Sequence, residues 1–79
     1  MSPTVFRHKG YRFYFFSREE PRMHIHVRSA EGEAKFWIDP SIELATCAGL
    51  TPKALATIEG LIRDHYDVIR EAWNEHFRR

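Results

Sequence analysis

The sequence is poor in the features that would place it outside the small globular domains. Its only cysteine, Cys47, excludes an internal disulfide and fits a reducing compartment. The longest apolar run, Phe13-Tyr14-Phe15-Phe16, falls far short of the roughly 18 residues needed to span a membrane. Four glycines and four prolines are too few for a collagen-like or linker sequence. No basic-then-apolar leader is visible, so a soluble, cytoplasmic protein without membrane association is expected. With 79 residues, against roughly 100–200 for a typical domain, residues 1–79 read as a single domain.

What is present is a core-forming composition. Hydrophobic residues make up 43% of the chain, with six Phe, three Tyr and two Trp, which excludes a disordered tail. The net charge of +1 conceals an asymmetry. Up to Arg28 the chain carries Arg7, Lys9, Arg12, Arg18, Arg22 and Arg28 against Glu19 and Glu20 alone. The remainder is acidic, mainly through Glu59, Asp64, Asp67, Glu71 and Glu75. A basic half beside an acidic half points to a surface that meets phosphate or an acidic partner.

Thr4–Lys9 and Tyr11–Phe16 flank Gly10 with β-branched and aromatic residues, the pattern of a hairpin whose turn needs positive φ. Ser17–Pro21 reads as a polar loop. Met23-His24-Ile25-His26-Val27-Arg28 alternates with period two, and Ala34–Ile38 reads as the next strand, ended by Asp39-Pro40. The sheet thus occupies about 4–38, and 39–50 is a linker holding a short element at Ile42–Ala45. Thr51 as N-cap and Pro52 at the first helical position open a helix over 52–77. Its apolar stripe runs through Leu55, Ile58, Ile62, Tyr66, Ile69, Trp73 and Phe77, and Gly60 marks a bend or a close-packing point. The expected fold is α+β: a three- to four-stranded, mostly antiparallel sheet covered on one face by one long C-terminal helix.

If Met23, Ile25 and Val27 face the helix, His24, His26 and Arg28 face away, with Lys35 and Trp37 on the next strand and Arg12, Tyr14 and Phe16 in the hairpin. Cations interleaved with aromatics suit a phosphate backbone and stacked bases. An ordinary wet sheet face or a protein interface has the same composition.

His24 and His26, about 7 Å apart on one side of a strand, admit three readings. They are an acid–base pair of a metal-independent ribonuclease, with Arg28 or Lys35 on the phosphate and Tyr14 and Trp37 stacking bases. Or they are a metal pair, completed by Glu33 or His8. Or they are two solvent-facing side chains bonded across strands. On the first reading, His24→Ala abolishes cleavage and leaves the melting temperature nearly unchanged. His65 and His76 read as helix boundary residues, and Cys47 as a small buried hydrophobe.

Gly10-Tyr11-Arg12-Phe13, Met23–Val27, Glu33–Pro40, Ile42–Ala45 and Glu71–Glu75 occur in this order along essentially the whole chain. In combination they resemble the small bacterial proteins of domain-of-unknown-function family 4160, and the histidine pair, Lys35 and Trp37 match that pattern. The resemblance implies a component of a toxin–antitoxin-like pair with a cognate small protein as partner; it implies no cofactor and no established reaction. RNA is a second candidate partner, and a homodimer is compatible with the charge distribution. The competing class is a non-catalytic interaction module, antitoxin or adaptor.

Overall fold

At Lys9-Gly10 both residues take positive φ, 48° and 83°, the pair that a two-residue hairpin turn matched to strand twist requires. This turn joins β1 (Thr4–His8) to β2 (Tyr11–Tyr14) and sets their register, with His8 opposite Tyr11 and Arg7 opposite Arg12. The computed structural model describes residues 4–16 and 21–77. The expected loop at Ser17–Pro21 therefore lies, apart from Pro21, outside the described residues. Strands β3 (His24–Arg28), β4 (Glu33–Trp37) and β5 (Glu43–Ala48) follow, then helices α1 (Pro52–Asp64) and α2 (Tyr66–His76).

The sheet is an antiparallel meander in the order β1-β2-β3-β4-β5. The expectation of three or four strands is corrected to five. The additional strand, β5, occupies the stretch read as a linker with one short element. Its burial does not alternate cleanly, because it is an edge strand with five of its six residues exposed. A bulge adds to this: Lys35 faces Thr46 but Phe36 faces Leu44, which leaves Ala45 over. Cys47, expected in the core, is exposed on this strand.

The expectation of one long helix is likewise corrected to two. Thr51 caps α1 as expected, its Oγ1 accepting from the Ala54 N–H at 3.1 Å. The break falls at His65, whose φ of −109° and ψ of 22° leave the helical region. The His65 Nδ1 lies 2.8 Å from the Leu61 carbonyl oxygen, and its ring stacks on Phe6 of β1 at 4.1 Å. Gly60 is not the bend, nor a close-packing point, since a Cβ there would meet nothing within 4 Å. Glycine is needed at Gly32 and Gly49, where a Cβ would strike the Ala48 and Glu31 carbonyl oxygens respectively.

Both helices lie on one face of the sheet. Phe13, Phe15, Ile25, Val27, Phe36 and Ile38 pack with Ile58, Ile62, Ile69 and Trp73 in a single core, with Met23 partly buried at its margin. Among the described residues no helix is long and apolar enough to cross a membrane. The opposite sheet face carries no element among the described residues, and there the expected site residues fall.

Candidate functional site

Strand registers arrange the helix-free face in cross-strand rows. One row runs Arg7–Arg12–Arg28–Glu33–Ala48 from β1 to β5, and the next Thr4–Tyr14–His26–Lys35–Thr46. A third begins on β3 with His24–Trp37–Glu43. Neighbouring strands stand about 4.8 Å apart, so side chains within a row touch.

The middle row holds the chemistry. Tyr14 and His26 lie with ring centroids 5.5 Å apart, and Phe16 approaches His26 at 4.4 Å. Tyr14 is 5% exposed, while Phe16 is 43% exposed. Arg12 lies over the Tyr14 ring at 4.6 Å and donates from Nε to Thr4 Oγ1 at 2.7 Å. A groove of about 350 Å³ opens over this row, lined among others by Tyr14, Phe16, His26, Glu33, Lys35 and Thr46. Lys35 Nζ sits 4.4 Å from the Trp37 ring centroid, and the Arg22 guanidinium is at 4.3 Å from the same ring. Arg22 is itself tied down, donating to the Asp39 carbonyl at 2.9 Å and lying 3.6 Å from the Glu43 carboxylate.

The two histidines have different surroundings. His26 lines the groove. His24 is completely buried, contrary to the expectation that both face solvent. Its ring sits at 5.1 Å from His26, 5.6 Å from Trp37 and 5.2 Å from Trp73 of α2. Its Nδ1 is 2.6 Å from the Arg22 carbonyl oxygen; a carbonyl only accepts, so Nδ1 carries the hydrogen. Alternation placed His24 on the outward side of its strand, yet its ring is fully buried with the indole of Trp73, a core residue of α2, at 5.2 Å.

The structure therefore brings Tyr14, His26 and Lys35 together at the groove, sets Arg12 and Arg28 in the adjoining row, and leaves Trp37 under two cations. Base stacking on Tyr14 is blocked by its burial, and Phe16 is the exposed ring instead. For the metal reading, neither Glu33 nor His8 completes the pair: among the described residues no group of three or more His, Cys, Asp or Glu side chains is placed to hold an ion. Thr46 and Arg7 belong to the face and escaped the sequence reading. Thr46 lies in a strand without a clear pattern, and the bulge between Thr4 and Phe6 breaks the alternation that would have aligned Arg7.

A five-stranded antiparallel meander backed by two helices, with a groove of aromatic and cationic side chains on its uncovered face, defines a small two-layer α+β domain. Residues 10–74 match the family described as Domain of unknown function (DUF4160), and the chain belongs to that family. The matched region contains His24, His26, Lys35 and Trp37. No curated protein and no solved structure matches the chain.

Proposed function

We propose that this protein is a non-catalytic RNA-binding member of a toxin–antitoxin-like pair, taking single-stranded RNA on the helix-free face of its sheet. The observation that carries the reading is the groove in which His26 and Lys35 stand in register between Tyr14 and Thr46. An ammonium and an imidazole side by side suit a phosphate, and the exposed Phe16 beside them suits a base. Binding is preferred to cleavage because a two-histidine mechanism needs both rings at the reacting phosphate, and His24 has no exposed surface. The partner protein implied by the family resemblance is the competing occupant of the same face.

The test is a fluorescence-anisotropy titration of a labelled single-stranded RNA oligonucleotide with the full chain at low salt, with a gel run on the same samples. Saturable binding, weakened about tenfold or more by Lys35→Ala, is expected, with the RNA intact. A lost charge-assisted contact of about 1.5–3 kcal/mol sets that scale. No binding at about 50 mM salt overturns the RNA reading. RNA cut by the wild type and spared by a folded His26→Ala variant overturns the non-catalytic part.

A further inference from the structure

We propose that the row Arg7–Arg12–Arg28 is a phosphate rail, on which the phosphodiesters of a single-stranded RNA lie across β1, β2 and β3, perpendicular to the strands. The proposal rests on the RNA reading above and assigns the path of the chain and the residues that hold its backbone.

The registers Arg7↔Arg12 and Arg12↔Arg28 set three guanidiniums directly beside one another on adjacent strands. At about 4.8 Å per strand, the outer two Cα atoms are about 10 Å apart. Like charges directly opposite in a sheet repel, and they lie within about one Debye length of each other at physiological salt. Arg7 and Arg28 are exposed, and among the described residues neither guanidinium has a hydrogen bond or ion pair to the protein. Arg12 between them is anchored by Thr4 and by the Tyr14 ring, which gives the row a fixed centre. A polyanion laid along it relieves the repulsion, and the planar guanidinium fork is matched to phosphate oxygens.

The neighbouring residues give the path its limits. On β4 the row continues with Glu33, whose carboxylate repels a phosphate, so the rail ends at β3. On the other side, Arg12 lies over Tyr14, which lines the groove. A nucleotide whose phosphate sits at Arg12 therefore directs its base toward Phe16 and His26. Arg7 precedes the family-matched segment of residues 10–74, so this contact is assigned by the strand register alone.

The test measures the affinity of the full chain for a short oligouridylate across a salt series, from about 50 to 300 mM. Each phosphate neutralised on a single strand contributes about 0.7 to the slope of log K against log salt. The Arg7→Ala/Arg28→Ala variant is expected to lose about 1.4 from the magnitude of that slope, and Arg7→Ala alone about 0.7. Arg7→Lys/Arg28→Lys keeps the charge and is expected to keep the slope, which separates a phosphate contact from a folding defect. Binding by the wild type that depends on Lys35 but has the same slope in Arg7→Ala/Arg28→Ala overturns the rail and leaves the RNA reading standing. No wild-type binding at low salt overturns both. Displacement of the RNA by polyglutamate as readily as by unlabelled RNA also overturns the rail as a phosphodiester site and makes the row an acidic-polypeptide surface.

Discussion

At the scale of single residues, His24 shows how far outward-facing and exposed can differ. Its ring is enclosed by His26, Trp37 and Trp73, and its Nδ1–H is donated to the Arg22 carbonyl. Truncation to alanine leaves an apolar void and an unpartnered carbonyl, each with its own cost. A buried ring cut to alanine and a lost hydrogen bond together cost about 2–4 kcal/mol. In a domain of this size each kcal/mol moves the melting temperature about 4–8 °C. His24→Ala is therefore expected to melt at least about 8 °C below the wild type, in place of the unchanged melting temperature expected from a surface catalytic histidine. His26→Ala, at the groove, shifts it by only a few degrees. Thermal denaturation followed by circular dichroism checks both, and equal small shifts would mean that the enclosure of His24 is not holding the fold. The alternation of Met23–Arg28 carried the strand and its sidedness, since period two is a local property. It carried nothing about Trp73, which reaches His24 through tertiary packing.

At the scale of elements, the strands and helices that were legible are those whose apolar residues all face one way. β3 alternates because one of its faces meets Ile58, Ile62 and the rest of the core. β5 was not legible because an exposed edge strand with a bulge needs no alternation. The helix break was hidden for the opposite reason. Tyr66, Ile69 and Trp73 continue the apolar stripe of α1 across His65, and no glycine or proline marks the joint. Gly60, the residue that looked like a breaker, sits inside α1 with open space where its side chain would be. This yields a paired prediction. Gly60→Ala gains about 0.5–1 kcal/mol from helix propensity and lost chain entropy, with nothing to clash against. His65→Ala gains little propensity, since φ −109° and ψ 22° place the residue outside both helices. It loses the stack on Phe6 and the bond to the Leu61 carbonyl, each about 0.5–1.5 kcal/mol. The losses outweigh the gain, so urea denaturation is expected to place Gly60→Ala above the wild type and His65→Ala about 1 kcal/mol below it. A His65→Ala variant as stable as the wild type would show that the joint is indifferent to the ring.

At the scale of the whole molecule, the uneven charge along the sequence becomes a difference between faces. Arg7, Arg12, Arg28 and Lys35 lie on the helix-free side of the sheet with Glu33 and Glu43, while Asp64, Asp67, Glu71 and Glu75 lie on the helices with Lys53, Arg63 and Arg70. On the RNA reading proposed above, such a distribution steers a polyanion toward the sheet, because the helical carboxylates repel what the sheet's cations attract. Charges on the outer side of the helices are separated from RNA on the opposite sheet face by both layers of a molecule whose shortest extent is 20 Å. At 0.15 M salt the Debye length is about 8 Å, and at 0.01 M about 30 Å. Reversing charge on the helices is therefore felt at the sheet only in dilute salt. Asp67→Lys/Glu71→Lys, with folding checked by circular dichroism, is expected to leave RNA affinity within about twofold at 0.15 M and to tighten it several-fold at about 0.01 M. A variant that tightens equally at both concentrations must touch the RNA directly. The helical side would then be part of the interface, and a binding surface confined to the sheet would be the wrong description of the molecule.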